Sequence, residues 1–137
     1  MTRVLVPVDG SEASLRALRH AMAIGAAEIQ IVNVQPRADT PTLLLHMTQQ
    51  AIDEAQADHG RAMLEGACRI LEQAARPYRA HALIGDPATT IAELAAAEHV
   101  DGIVMGTRGM GAWGNLALGS TATKLVHLTE VPVTLVK

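Results

Sequence analysis

The sequence predicts an α/β fold, namely an open, doubly wound sheet of five parallel strands with helices on both faces. Short apolar runs alternate with stretches of helical period, and a glycine-rich connection follows the fourth apolar run. The chain has 137 residues, of which 49% are hydrophobic, enough for one domain with a shared core over residues 1–137. In such a sheet, ligands bind outside the carboxyl ends of the strands, where the strand order reverses.

The first strand–helix unit occupies the start of the chain. Residues 4–8 are almost wholly apolar, which is typical of a strand buried on both faces of a parallel sheet. Pro7 has no N–H group, so we expect sheet pairing to loosen there and the strand end to open toward a crevice. Residues 9–11 supply a turn and a cap for a helix that ends near Gly25.

The second unit contains a longer helix. Residues 29–34 predict a buried strand, and residues 52–74 carry apolar side chains at steps of three and four. Gly60 and Gly66 interrupt this helix, and each costs about 1 kcal/mol relative to alanine. We therefore expect tertiary packing to offset that cost.

The second half of the chain continues the alternation. Residues 80–84 predict the third strand, after which Asp86 as N-cap and Pro87 at the first helical position predict a sharp helix start. Residues 103–105 predict the fourth strand. A helix that begins at Ser120 then leads to the fifth strand and the end of the chain.

The connection between the fourth strand and the fourth helix predicts a phosphate pocket. Residues 106–119 contain five glycines, in a connection longer than the usual 2 to 6 residues. Glycine N–H groups and the free amides of the next helix can converge on an anion, and Arg108, Ser120 and Thr121 add donors for phosphate oxygens. The alternative is a long loop that only folds back, with Ser120 as an N-cap and Arg108 as a solvated side chain.

Two motifs resemble the universal stress protein family. Residues 6–11 read VPVDGS, and near the end Gly106, two residues, Gly109, nine residues and then Gly119 and Ser120 follow. The resemblance spans essentially the whole chain and implies a Rossmann-like, adenine nucleotide alpha hydrolase-like fold. The glycine spacing is similar to that of the branch that binds ATP. It implies an ATP-binding protein, with AMP or a cyclic nucleotide as alternatives and Mg²⁺ or Mn²⁺ arriving with the phosphates.

The resemblance also implies a position for each ligand-binding residue. Pro7, Val8 and Asp9 would lie beside the adenine and ribose, with Asp9 also near the phosphates or the metal. Val34 would line the adenine side. The residues implied to wrap the ribose and phosphates are Met105, Gly106, Arg108, Gly109, Gly119, Ser120 and Thr121.

The residues do not indicate fast catalysis. The sequence has no nucleophile elbow, no Ser-His-Asp grouping, no Walker A motif and no G-x-G-x-x-G after the first strand. Its six histidines lack metal-ligand spacing, so we assign no metal site to the protein alone, and Asp9 is the residue that a nucleotide-bound cation would share. Slow ATP hydrolysis or self-phosphorylation on Ser120 or Thr121 stays an alternative.

Composition and the last apolar run indicate the partners. A net charge of −3 and 1% aromatic residues argue against nucleic acid as a partner, and no apolar run approaches the roughly 20 residues of a membrane span. The single Cys68 is typical of a reducing, cytoplasmic setting. Residues 131–136 predict an apolar sheet edge that a homodimer covers by antiparallel pairing, whereas the alternative is a monomer whose edge Pro132 protects.

The expected function is a nucleotide-responsive stress protein whose ATP occupancy changes how it meets protein partners. A nucleotide-independent dimeric interaction protein is the second hypothesis. Trp113 and Asn33 stand where many relatives carry other residues, and we expect them to affect which nucleotide is preferred. These hypotheses differ in whether the purified protein carries or binds a nucleotide.

Overall fold

The computed structural model describes residues 2–38, 47–107 and 118–137, and these residues form five strands and four helices. All neighbouring strands are parallel, in the order β3-β2-β1-β4-β5, which confirms the predicted fold class. The strands are β1 (Arg3–Pro7), β2 (Glu28–Gln35), β3 (Tyr78–Ile84), β4 (Gly102–Gly106) and β5 (Val133–Val136). The helices are α1 (Glu12–Ala23), α2 (Gln49–Gln73), α3 (Pro87–Ala97) and α4 (Ser120–Leu128).

The strand order reverses at β1, the central strand. β2 and β3 are added on one side of β1, after which the chain returns to add β4 and β5 on the other side. The register between β1 and β4 ends at Leu5 opposite Ile103, whereas the register between β1 and β2 continues to Pro7 opposite Val32. The predicted loosening at Pro7 is therefore confirmed on the β4 side and wrong on the β2 side, where the Val8 N–H still donates to the Val32 carbonyl at 2.8 Å.

Two helices cover each face of the sheet. One core lies between the sheet and helices α1 and α2, around the fully buried Leu18 and Leu71. The other core lies under α3 and α4, around the fully buried Leu5, Ile103 and Leu125. Within the described ranges, no helix combines the length and the apolar character needed to cross a membrane.

Three elements begin two or more residues away from their predicted starts. Strand β3 begins earlier, at Tyr78, because its parallel pairing with β2 already starts there. Strand β5 begins later, at Val133, since Pro132 has no N–H group to donate to the ladder. Helix α2 begins before residue 52, because Thr48 caps it by accepting a hydrogen bond from the Ala51 N–H at 3.1 Å.

The two glycines inside α2 have different surroundings. A Cβ atom at Gly60 would lie 3.0 Å from Asn33 Oδ1 and 3.6 Å from the Cβ of Ala82, so glycine allows α2 to approach the sheet closely. A Cβ atom at Gly66 would make an ordinary contact with Leu15 at 3.8 Å. Of these two glycines, Gly60 is therefore the one where close packing against the sheet can offset the cost of a glycine in the helix.

We expect the same substitution at these two glycines to have different effects on stability. Gly66→Ala should raise the free energy of unfolding by about 0.5–1 kcal/mol, because alanine has the higher helix propensity and fits the available space. Gly60→Ala should give no such gain, since its methyl group displaces the Asn33 amide. Urea denaturation with the slope held in common measures both changes. Equal gains at the two positions would contradict the packing assigned to Gly60.

Candidate functional site

A cleft of about 350 Å³ opens at the carboxyl ends of β1, β2 and β4, between the N-termini of α3 and α4. This is the edge of the sheet at which the strand order reverses, where open α/β sheets bind ligands. Most of the predicted ligand-binding residues line this cleft. They are Pro7, Val8, Asp9, Val34, Met105, Gly106, Gly119 and Thr121.

The other predicted residues are not part of the lining. Ser120 is the first residue of α4, beside the cleft but not among the residues that line it. Arg108 and Gly109 lie outside the described residues, as does Trp113. Their assignment to the nucleotide stays a prediction.

Several cleft residues were not among the predicted binding residues. The end of β2 contributes Gln35 and also Asn33, which the sequence singled out only for its effect on nucleotide preference. Helix α3 contributes Pro87 and Ile91, which reach the cleft through sheet topology that no local motif indicates. The remaining lining residues are Val32, Pro36 and Ala122.

Asp9 presents an ionised carboxylate at the cleft. Its Oδ1 accepts a hydrogen bond from the Ser11 N–H at 2.9 Å, across a turn in which Gly10 adopts a φ of +84°. Burial by itself would raise the pKa of Asp9, but hydrogen bonds from Ser11 and Ser14 outweigh burial and hold that pKa below its ordinary value. The carboxylate is therefore negative at neutral pH.

Of the turn residues 9–11, Ser11 and not Asp9 is the N-cap of α1. Ser11 is the cap, and its hydroxyl accepts a hydrogen bond from the Ser14 N–H at 3.2 Å. Two separate residues thus provide the helix cap and the cleft carboxylate.

The N-terminus of α4 opens onto the cleft without a side-chain cap. Gly119 is the N-cap, and no side chain within the described residues caps this end of the helix. The alternative in which Ser120 is only an N-cap is therefore wrong, because Ser120 is already inside the helix. Both Gly119 and Thr121 line the cleft, so the first turn of α4 and the positive end of its helix dipole lie beside it.

The N-terminus of α3, in contrast, already has its cap. Asp86 accepts hydrogen bonds from the N–H and the hydroxyl of Thr89, at 3.0 and 2.7 Å, and forms an ion pair with Lys124 at 2.9 Å. The Thr89 side chain, Lys124 and the Thr89 N–H together lower the pKa of Asp86 to about 2. Of the two helix N-termini at the cleft, that of α4 is the one without a side-chain cap among the described residues.

Among the residues that the structure describes, the cleft lining contains one carboxylate, that of Asp9, and no histidine or cysteine. Across residues 2–38, 47–107 and 118–137, no cluster of three or more His, Cys, Asp or Glu side chains could hold a metal ion.

Gly106 has a packing role that does not depend on any ligand. A Cβ atom at this position would lie 2.6 Å from the backbone oxygen of Ala13, so α1 rests directly on the end of β4. At Gly102, at the other end of the same strand, a Cβ atom would lie 3.4 Å from the Pro132 carbonyl oxygen. Only Gly106 is too close to a neighbouring backbone for a side chain.

We expect Gly106→Ala to lower the free energy of unfolding of the ligand-free protein by about 1–3 kcal/mol, because α1 must shift away from β4. The matched change Gly102→Ala should have little effect, since its methyl group fits beside Pro132. Urea denaturation without nucleotide measures both. A Gly106→Ala protein as stable as the parent would show that α1 can move at no cost.

The fold and the cleft together define the class of the protein. A five-stranded parallel sheet of order 3-2-1-4-5, with its crevice at the carboxyl end of the central strand, is a Rossmann-like α/β arrangement. Sequence comparison gives the family within that class. The chain belongs to the universal stress protein family, whose sequence model matches residues 1–137.

Two curated relatives are similar to this chain over nearly all of it. A universal stress protein of Methanocaldococcus jannaschii is 31% identical over 141 residues, which cover 98% of this chain and 81% of the relative. A universal stress protein of Thermus aquaticus is 32% identical over 147 residues, covering 98% of this chain and 97% of the relative. Both identities extend beyond the glycine motif to the whole sequence.

Solved structures share the fold. The universal stress protein UspA from Lactobacillus plantarum superposes with a TM-score of 0.78 at 25% identity, covering 99% of this chain and 97% of that protein. At 22% identity, a universal stress protein in complex with cAMP gives a TM-score of 0.70, with 99% and 97% of the two chains covered. The universal stress protein from Archaeoglobus fulgidus in complex with dAMP gives 0.68 at the same identity, covering 100% of this chain and 98% of that one.

Proposed function

We propose that this universal stress protein binds an adenine nucleotide in the cleft, with ATP as the leading candidate and AMP or a cyclic nucleotide as alternatives. The observation that carries the proposal is the N-terminus of α4, which has no side-chain cap among the described residues and opens into the cleft. Free N–H groups at a helix N-terminus are a general binding site for phosphate. Two structural relatives are complexes with adenine nucleotides, cAMP and dAMP.

The apolar part of the cleft lining suits a flat base. Its lining includes the buried Val32, Ile91 and Met105, which are exposed by 1%, 3% and 6%. Apolar walls with a few convergent polar groups are typical of small-molecule sites. Polar side chains at this cleft come from the ends of β1 and β2, namely Asp9, Asn33 and Gln35, and from Thr121 of α4.

The charge of Asp9 supports ATP with a divalent cation rather than bare phosphates. An ionised carboxylate beside a phosphate chain is repulsive unless a cation lies between them. Mg²⁺ prefers carboxylate and phosphate oxygens, and Asp9 is the residue of the lining that would share it. The cation would supply charge neutralisation for the phosphates.

The sequence motif supports ATP further. The spacing of Gly106, Gly109, Gly119 and Ser120 is the one that the family resemblance associates with ATP. The positions of Gly106 and Gly119 at the cleft are consistent with that association. In this proposal nucleotide occupancy changes the cleft surface that protein partners meet, which is how the protein responds to the nucleotide.

We expect Gly119→Asp to separate helix stability from nucleotide binding. The backbone at Gly119, with φ −60° and ψ 153°, accepts any residue, and aspartate is a favoured N-cap. The variant should be at least as stable as the parent. Its carboxylate occupies the donors and repels phosphate, so MgATP affinity should fall by about tenfold or more. Calorimetric titration measures the affinity.

Gly119→Asn is the matched control, because asparagine also caps the helix but brings no charge. It should lose less MgATP affinity than Gly119→Asp. Equal MgATP affinity in the parent and Gly119→Asp would exclude the α4 terminus as the phosphate site. If the parent protein gives no binding heat with MgATP, AMP or cAMP and carries no copurified nucleotide, the nucleotide-independent interaction hypothesis replaces this one.

We further propose that the protein is a homodimer in which the β5 edge strands pair. β5 is at the end of the sheet, so one side of it has no strand partner among the described residues. Its Leu135 is 37% exposed, and the nearby helix α4 exposes Val126 and Leu128 by 39% and 47%. An apolar, uncovered sheet edge favours association.

We expect Leu135→Lys to weaken this dimer, because a charged side chain on an edge strand opposes strand pairing. Sedimentation equilibrium should give about twice the chain mass of 14.4 kDa for the parent protein and a lower average mass for the variant. Ile24→Lys is the control, since Ile24 is an exposed apolar residue at the far end of α1. A parent protein that sediments at the chain mass would contradict the dimer.

A further inference from the structure

A buried amide in β2 has both of its ends occupied by hydrogen bonds. Asn33 is 3% exposed, its Nδ2 donates to the Val8 carbonyl oxygen at 2.8 Å, and its Oδ1 accepts from Gln35 Nε2 at 2.8 Å. Asn33 also lines the cleft. A buried polar side chain is costly unless it is satisfied, and this one is satisfied by a specific backbone atom of the neighbouring strand.

The Val8 carbonyl oxygen, to which Asn33 donates, lies just beyond the end of the β1–β2 ladder and just before Asp9. The ladder between β1 and β2 ends at Pro7, and the next N–H, that of Val8, donates to the Val32 carbonyl at 2.8 Å. The Asn33 side chain then takes up the Val8 carbonyl. Both backbone polar groups of Val8 are thus held by β2, immediately before the Asp9 carboxylate reaches the cleft.

The surroundings of Asn33 leave its amide little room to move. Gly60 of α2 lies against it, so close that a Cβ atom there would be 3.0 Å from Asn33 Oδ1. Gly60 does not line the cleft. Helix α2 therefore limits the movement of the Asn33 amide from outside the cleft. The hydrogen bond from Gln35 fixes which end of that amide faces Val8.

We propose that Asn33 is a positioning residue for the nucleotide site, because its amide holds the Val8 carbonyl and so places the Asp9 carboxylate at the cleft. The effect on nucleotide affinity rests on the proposed function. The effect on the position of Asp9 does not depend on that function, and a measurement on the ligand-free protein detects it separately.

The test is Asn33→Asp, which keeps the shape of the side chain. An ionised carboxylate cannot donate to the Val8 carbonyl and repels it, so at about pH 7.5 MgATP affinity relative to the parent should fall by about tenfold or more. A protonated carboxyl can donate again, and burial raises carboxyl pKa values, so the ratio should recover toward one near pH 5.5. Dividing the MgATP affinity of the variant by that of the parent at each pH removes the effect of nucleotide protonation from the comparison.

Gln30→Glu is the control, because it makes the same change at another fully buried residue of the same strand. Gln30 bonds to His81 at 2.7 Å and to Glu98 at 3.5 Å, and it does not line the cleft. This variant should lose stability while its MgATP affinity ratio stays near one. A similar affinity loss in Gln30→Glu would show that any buried charge in β2 weakens binding, which overturns the inference.

Gly60→Ala and Gly66→Ala provide a second test if Asn33→Asp does not fold. Both add one methyl group to α2 outside the cleft, but only the first displaces the Asn33 amide. MgATP affinity should fall several-fold in Gly60→Ala and stay unchanged in Gly66→Ala. Equal affinities in the two variants would overturn the inference.

The ligand-free readout is the amide proton resonance of Ser11, whose N–H donates to Asp9 Oδ1. It should move upfield in Asn33→Asp or Gly60→Ala at neutral pH and stay in place in the two controls. An unmoved resonance overturns the inference whether or not nucleotide binds. A moved resonance in a protein that binds no nucleotide upholds the placement of Asp9 and rejects the proposed function alone.

Discussion

The central position of β1 determines the rest of the site. Because β1 pairs with β2 on one side and β4 on the other, the segments that follow these three strands meet at one edge of the sheet. The β1–β4 register stops at Leu5, two residues before the strand ends, and the cleft opens where that pairing is missing. Asp9 and the N-terminus of α4 are brought together by this geometry, although they are far apart in sequence.

The two helix N-termini at the cleft show how local capping directs a ligand. Helix α3 is capped by Asp86, whose charge is balanced by Lys124. Helix α4 begins after Gly119, which has no side chain, and no other described residue caps it. The helices pack side by side on the same face of the sheet, so in the proposed nucleotide site the difference in their caps favours the end of α4 for the phosphates.

The sequence predicts the fold well because its signals are local. Apolar runs, helical periods and caps such as Asp86 are readable from neighbouring residues, and the alternation of elements leaves few topologies. The ends of β1 and β4 were predictable as cleft residues for the same reason. Pro87 and Ile91 were not, since they reach the cleft by packing across the sheet. The ladder beyond Pro7 and the bond from Asn33 to Val8 likewise depend on which strands become neighbours.

The contact between Gly106 and Ala13 changes what a glycine motif can report. Any protein of this architecture in which α1 rests on the end of β4 in the same way needs a glycine there, with or without a ligand. Such a glycine indicates that α1 packs closely against β4, and it does not by itself indicate a ligand. At Gly119, in contrast, the backbone angles of φ −60° and ψ 153° are open to any residue, so the conformation alone does not require a glycine there. Of these two motif glycines, Gly106 therefore reports on helix packing, and Gly119 is the one whose role is tied to the proposed phosphate site.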